Sequence, residues 1–205
     1  YIESHEADIS ALDIPAFLHQ IAVELKKTHF HIVSFSSALD SFLLSFNKVT
    51  SKCRYAMNKD PNLNYDVLLS YAQSIPKEYV LTPITETLFH QVRKATWSED
   101  FSINYPDYKT WKESGIGYLI LKDSEIIAGA SSYSSAHNTI EITIATKTPY
   151  RRKGLATKVC SALLLDCMNK KINPSWDAAN CYSVATAKNL GYSYLNSYTS
   201  WIYTD

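Results

Sequence analysis

The chain has 205 residues, 46% of them apolar and 20% charged, enough for one large domain or two small ones whose core needs neither disulfide nor metal. Its 20 basic and 20 acidic side chains cancel, which removes any global attraction to nucleic acid or to an anionic membrane and leaves electrostatic function to local clusters. No run approaches the about 18 apolar residues of a membrane span, and Glu3, Glu6 and Asp8 stand where a secretory signal has its basic and apolar regions. The sequence opens on Tyr1 and leaves the position of the natural N-terminus open.

All five glycines lie at 115 or later, which suggests an N-terminal α/β part over 1–78 and a second part over 79–205. In the first part, Phe17, Ile21 and Leu25 recur every four residues, so 14–27 reads as a helix, with Asp13 as N-cap and Pro15 in the first turn. Residues 29–35 alternate weakly and suggest a short strand. The apolar run 42–46 is too short to separate helix from strand. Residues 65–74 look helical and end before Pro76. A further helix is expected from Thr82 to about Lys94, with Leu88, Val92 and Ala95 on one face. Trp97, Ser98, Glu99 and Asp100 then open an irregular aromatic stretch, and 109–114 is a short helix closed by Gly115.

From there the pattern is β. Residues 117–122 and 125–134 form a hairpin about Asp123-Ser124, and 139–146 is a third antiparallel strand. Residues 155–170 form a helix with Leu155, Val159, Ala162, Leu163 and Leu165 inward. A short extended piece, 174–177, precedes a helix over 182–190 that ends at Gly191, and 192–203 closes the chain as an aromatic strand. The fold class is α+β, a mixed layer arrangement. Cys53, Cys160, Cys167 and Cys181 form no CxxC pair, and Cys160 and Cys167 lie about two turns apart on one helix, too far for a disulfide. Free thiols suggest a reducing, cytoplasmic setting.

The densest charge is Arg151-Arg152-Lys153, followed by Gly154-Leu155-Ala156 and a helix. Strand, basic glycine turn and helix start together place free N–H groups and a helix dipole where an anion, such as a pyrophosphate, would sit. A solvated basic turn is the plainer reading. No Walker loop is present, and Gly115-Ile116-Gly117 precedes a strand instead of following one, so it reads as a turn. His29 and His31 share a strand face but lack a third metal ligand. No nucleophile motif is present.

Arg151-x-x-Gly154-x-Ala156 resembles the R/Q-x-x-G-x-G/A acetyl-CoA signature of the GNAT superfamily of N-acetyltransferases. Asn180 with Ser183, then Leu190-Gly191-Tyr192, look like the N-x-x-A/S and L-G-F/Y end of the same fold. Pro174, Trp176, Asp177 and Asn180 form a PxWDxxN variant similar to the GNAT branch of zwittermicin-type antibiotic self-resistance acetyltransferases. The resemblance covers about 80–205. It implies a GNAT (acyl-CoA N-acyltransferase) fold, a mixed, mainly antiparallel sheet flanked by helices, with the first 78 residues as a degenerate second unit of this kind. It implies direct transfer of acetyl from acetyl-CoA, a co-substrate, to a primary amine in a ternary complex, with no metal. The backbone of Ile144, Ala145 and Thr146 would meet the pantetheine arm and the thioester carbonyl. Arg151, Arg152, Lys153, Gly154, Leu155 and Ala156 would hold the pyrophosphate, with Thr157 nearby, and Asn180 and Ser183 would flank the arm.

Glu141 is the candidate general base, a carboxylate between Ile140 and Ile142 whose apolar strand should raise its pKa. The competing reading is an outward-facing strand carboxylate. Trp97, Glu99 and Asp100 are candidates for the acceptor side, against ordinary capping or surface roles. Asp177 reads as a cap of the helix that starts near Asn180, and Trp176 as core. Ala187 stands where many GNAT enzymes carry a tyrosine acid, so the acid is unassigned, with Tyr182 and Tyr192 nearby. The expected partner is a small-molecule amine, cationic in the manner of an aminoglycoside or polyamine. Neither nucleic acid nor membrane is expected, and the chain would be a monomer or homodimer. A non-catalytic acyl-CoA-binding or regulatory protein is the second reading, and a module that binds a phosphorylated partner the third.

Overall fold

Side-chain caps set most of the helix starts in the computed structural model, which describes residues 13–26, 28–34 and 36–205. The carboxylate of Asp13 accepts the Ala16 N–H at 3.1 Å and opens α1 (Ile14–Leu25), with Pro15 in its first turn. Ser36 caps α2 (Ser37–Ser45), Asn64 caps α3 (Tyr65–Gln73), Thr85 caps α4 (Glu86–Val92) and Asp107 caps α5 (Tyr108–Ser114). Among the described helices, α6 (Leu155–Lys170) departs from this rule: it starts on Gly154 without a side-chain cap. Asn180 caps α7 (Cys181–Asn189).

The chain divides into two units. The first comprises the described residues up to Tyr55 together with Asn196–Asp205. It holds α1, α2, β1 (His29–Val33), most of β2 (Val49–Met57) and most of β8 (Tyr194–Thr204). β1 pairs antiparallel with β8, from His29 opposite Thr204 to Val33 opposite Ser200, and within this unit the strand order is β1-β8-β2. Its core is Ile14, Leu18, Ala22, Ile32, Leu43, Trp201 and Tyr203. The buried indole of Trp201 donates to Asp40 Oδ1 at 2.8 Å, so its polar end is satisfied. His31 Nδ1 lies 3.0 Å from Ser200 Oγ.

The second unit is Ala56–Leu195, so the boundary expected at 78–79 falls inside it. Its sheet has the order β3-β4-β5-β6-β7: Val80–Pro83, Gly117–Lys122, Glu125–Ala136, Thr139–Thr146 and Asn173–Ser175. All pairs are antiparallel except β6 with β7. Both hairpins turn on two residues of positive φ, Asp123 and Ser124 at 49° and 69°, then His137 and Asn138 at 47° and 61°, the twist that a two-residue hairpin requires. Helix α6 packs on β4, β5 and β6, and Tyr118 Oη donates to its Asp166 at 3.1 Å. Tyr118 and Leu119 point to opposite faces. Leu119 therefore lies away from α6, in a second core layer with Leu88, Phe89, Val92, Phe101, Trp111 and Ile126.

Several elements differ from their sequence signals. Val80–Pro83 is an edge strand against Tyr118–Leu121 instead of a helix start, and Thr85 caps the helix three residues later than expected. Pairing of Leu81 and Thr82 with Ile120 and Leu119 outweighs the helical reading. β2 carries an exposed polar run, Thr50 to Cys53, whose lack of apolar alternation leaves no strand signal in the sequence. The run 42–46 belongs to α2. Lys27 and Phe35, at the expected ends of α1 and β1, lie outside the described residues, as do Glu3, Glu6 and Asp8. In α6, Leu164 is buried and Leu165 only partly so. Gly115 closes α5 with φ −93°, and its need is space: a Cβ there would lie 2.5 Å from the Trp111 ring.

All four cysteines are free, Cys53 and Cys181 exposed, Cys160 and Cys167 buried. Burial pushes the Cys160 thiol well above its usual range and that of Cys167 up to about 12. No helix among the described residues is long and apolar enough to cross a membrane. Titration with a chromogenic disulfide at mildly alkaline pH should therefore consume Cys53 and Cys181 in the native protein, and Cys160 and Cys167 only after denaturant is added. Rapid reaction of all four thiols in the native protein would contradict this core.

Candidate functional site

β6 is paired along one side and open along most of the other. β5 accompanies it from Ala136 opposite Thr139 to Ala128 opposite Thr146. On the far side, β7 pairs only with Thr139, Ile140 and Glu141, through Asn173, Pro174 and Ser175. Among the described residues, no other strand of the sheet lies beyond β6 on that side. Residues 142–146, including the expected Ile144, Ala145 and Thr146, thus present a strand edge that an extended ligand could pair with. The hydroxyl of Thr146 is buried and has no hydrogen-bond partner among the described residues.

The chain leaves β6 through a 3-10 turn at Thr148–Tyr150. Lys147 pairs with Glu125 and holds that carboxyl below its usual range, and Tyr150 Oη donates to the same carboxylate at 3.5 Å. Arg151 then folds back, its Nε donating to the Thr146 carbonyl at 3.0 Å. Arg152 and Gly154 have φ of 61° and 72°. A Cβ on Gly154 would meet only Lys158 Cε, at 3.7 Å, so this glycine answers to conformation and not to space. Arg151, Arg152, Lys153 and Gly154 are exposed, while Leu155 is buried and anchors the helix behind them. The first intrahelical bond runs from Lys158 N–H to Gly154 O at 3.2 Å. The N–H groups of Leu155, Ala156 and Thr157 precede it and receive no side-chain cap. The Lys158 ammonium instead donates to the Ser74 carbonyl, at 3.0 Å, at the end of α3. Open strand edge, uncapped helix start and two guanidinium groups fit a diphosphate joined to an amide-bearing arm, as in acetyl-CoA.

Glu141 is half-buried at the point where β7 departs, and its Oε1 accepts the Asp177 N–H at 3.0 Å. Strand alternation puts Glu141, Thr143 and Ala145 on one face, opposite buried Ile140 and Ile142. Ala145 packs against the layer that contains Phe101. Its partner Gly129 is also pressed by that ring: a Cβ there would lie 2.6 Å from it. The 3-10 turn Glu99–Phe101 therefore covers the face of β6 that carries Glu141. Within it Glu99 is partly buried and Asp100 exposed. Trp97 packs edge-on against Phe101, ring centres 6.1 Å apart, so its indole is mainly a packing group.

The downstream motif braces this arrangement. Asn180 caps α7 by accepting the Ser183 N–H at 3.0 Å, the role that the sequence assigned to Asp177. Asp177 sits one turn too early to cap and instead gives its N–H to Glu141. The Trp176 indole, buried as expected, donates to Ser183 Oγ at 3.1 Å. Tyr192 meets Trp176 edge-on at 5.2 Å and donates its hydroxyl to the Pro174 carbonyl at 2.7 Å. Burial pushes its phenol far above the usual range. Ala187 is buried and Tyr182 exposed. Sequence reasoning missed Arg93, Ser98, Ser102 and Ser131, which pin the segment around Phe101; nothing in their spacing distinguishes them. A concavity of about 160 Å³ lies elsewhere, between the start of α3 and the end of α7, lined by Asn62, Asn64 and Lys188 among others.

A mixed sheet with a parted β6 and an uncapped α6 behind a basic glycine turn defines the acyl-CoA N-acyltransferase fold. The chain belongs to the GNAT acetyltransferase family, which it matches over residues 8–201. Among solved structures, it is similar to a GCN5-related N-acetyltransferase-like protein from Streptococcus suis, at 28% identity and TM-score 0.84, over 91% of this chain and 75% of that one. A GCN5-related N-acetyltransferase from Kribbella flavida shares the fold at 12% identity and TM-score 0.55, over 99% and 77% of the two chains. So does a tandem GNAT protein from the clavulanic acid biosynthesis pathway, at 11% identity and TM-score 0.56, over 98% and 71%. No curated protein matches the sequence.

Tyr192→Phe removes the donor to a buried carbonyl while keeping the ring. It should lower stability by about 1–3 kcal/mol in urea unfolding, and an unchanged midpoint would show that this bond does not hold β7.

Proposed function

We propose that the chain transfers an acetyl group from acetyl-CoA to a primary amine of a small molecule. The carrying observation is the pairing of an open β6 edge with the uncapped start of α6 across one short turn. Bound acetyl-CoA would supply an activated acetyl thioester and a diphosphate. The N–H groups of Leu155, Ala156 and Thr157, with the Arg151 guanidinium and the Lys153 ammonium, offer donors and positive charge to the diphosphate. The N–H and carbonyl groups of residues 142–146 offer an edge to the pantetheine amides and an N–H to the thioester carbonyl oxygen.

Glu141 takes the proton that the attacking amine must lose, directly or through one water, and the Asp177 N–H keeps its carboxylate aimed. Glu99 and Asp100 lend negative charge to the same side, which favours a cationic amine of the aminoglycoside or polyamine kind. The motif at 174–180 supports kinship with the self-resistance branch, since Trp176, Asp177 and Asn180 each brace the site. Two exposed thiols suit a reducing cytoplasm. A second reading, acyl-CoA binding without catalysis, draws on one observation: Ala187 has no proton to return, and that of Tyr192 is held by Pro174.

Calorimetric titration should show acetyl-CoA bound by the wild type and bound at least about tenfold more weakly by Arg151→Glu, which reverses the charge at the turn. Equal affinity would remove the diphosphate from this turn. Glu141→Gln should keep acetyl-CoA affinity and lose about 10²-fold or more in acetyl transfer, with the acidic limb of its pH profile flattened. An unaltered rate and profile would displace Glu141 as base. Absence of free-thiol release by the wild type with any of a panel of amines would favour the binding-only reading.

A further inference from the structure

The segment between α4 and α5 has little regular structure, yet side-chain hydrogen bonds hold it at several points. Ser98 is buried and its Oγ donates to the Val92 carbonyl at 2.8 Å. Ser102 is fully buried and bonds the Phe89 carbonyl at 3.3 Å. From the sheet, buried Ser131 donates to the Phe101 carbonyl at 2.6 Å, and Tyr105 Oη donates to Ser132 Oγ at 2.8 Å. Arg93 closes the set. Its Nε donates to Ser102 Oγ at 3.2 Å, one terminal nitrogen donates to the Ser102 carbonyl at 2.7 Å and to the Tyr105 carbonyl, and its guanidinium carbon lies 4.4 Å from the Phe89 ring centre.

Buried hydroxyls and carbonyls are tolerated when paired, and here the pairing is directed at one short stretch. That stretch carries Glu99 and Asp100 and covers the face of β6 where Glu141 lies. A planar fork that bonds two carbonyls and a hydroxyl at once is a task lysine cannot perform. We infer that Arg93 is a positioning residue that determines acceptor specificity: it buckles residues 98–105 onto the sheet and so fixes the acidic wall facing Glu141. The inference rests on the amine acetyltransfer proposed above. The acceptor side is thus pre-formed, and Arg93 acts on it without touching the acetyl donor.

Arg93→Lys and Arg93→Gln should bind acetyl-CoA within about twofold of wild type, raise KM for the preferred amine about tenfold with little change in kcat, and compress the range of kcat/KM across an amine panel. Without any ligand, amide hydrogen exchange at 98–105 should quicken while that of β5 and β6 stays slow. If the amine KM and the panel ranking are unchanged despite faster exchange, the segment does not form the acceptor wall and the inference fails. A parallel loss of acetyl-CoA affinity would make Arg93 a general structural residue and overturn it equally. Should both variants fail to fold, Ser131→Ala removes the bond to Phe101 from the sheet side and must shift the amine KM in the same direction; no shift refutes the proposal. If the wild type acetylates no amine, the acetyltransfer reading itself fails, whereas turnover with an unmoved KM in the variants defeats this inference alone.

Discussion

The parting of β6 from β7 just past Glu141 and Ser175 is the constraint on which the site depends. A strand that outruns its neighbour leaves backbone N–H and carbonyl groups that need other partners. Here the pairing stops after three residues while β6 runs on for five more. What keeps β7 from closing along β6 is held from outside the sheet. The Tyr192 hydroxyl grips the Pro174 carbonyl, Trp176 leans on Tyr192 and reaches Ser183 at the start of α7, and the Asp177 N–H turns back to the Glu141 carboxylate. The same contacts that keep the edge open also aim the proposed base at it.

The turn behind β6 shows the same balance. Arg152 and Gly154 both adopt left-handed backbone, which costs a non-glycine residue about 1–2 kcal/mol. Leu155, Val159, Leu163 and Leu164 are buried almost completely, each contributing about 1.5–3 kcal/mol. Helix α6 is therefore held by its core face, and its first turn can remain strained, exposed and uncapped. In α1 to α5 and α7 the start is closed by the residue's own side chain. The exception is the helix whose start faces the proposed ligand.

Much of this was legible in residue order because it is local. The hairpin strands at 117–122 and 139–146, the α6 limits and the Gly191 stop follow from alternation, turn chemistry and helix period, and the structure reproduces them. Asp13 as a cap is equally local. The failures have a common cause. Val80–Pro83 became a strand because β4 offered it an edge, β2 carries no apolar alternation, and the 4-residue repeat in α6 does not separate Leu164 from Leu165. Asp177 reads as a cap by type and place, yet its backbone serves Glu141 because β7 ends where it does. Arg93 and the buried serines carry no pattern, since their partners are carbonyls brought near only by folding.

The amino-acid order by itself determined the α+β alternation, the basic glycine turn before a helix and the likeness to the GNAT family, because each is written in neighbouring residues through backbone preference and hydrophobic period. Only the tertiary structure decided that Glu141 shares a strand face with Ala145, against which the Phe101 layer packs, that β6 keeps an open edge, and that Tyr192 holds its proton on Pro174. Those facts depend on where strands stop pairing and on which buried polar group finds which carbonyl, and these are settled by packing between segments far apart in the chain.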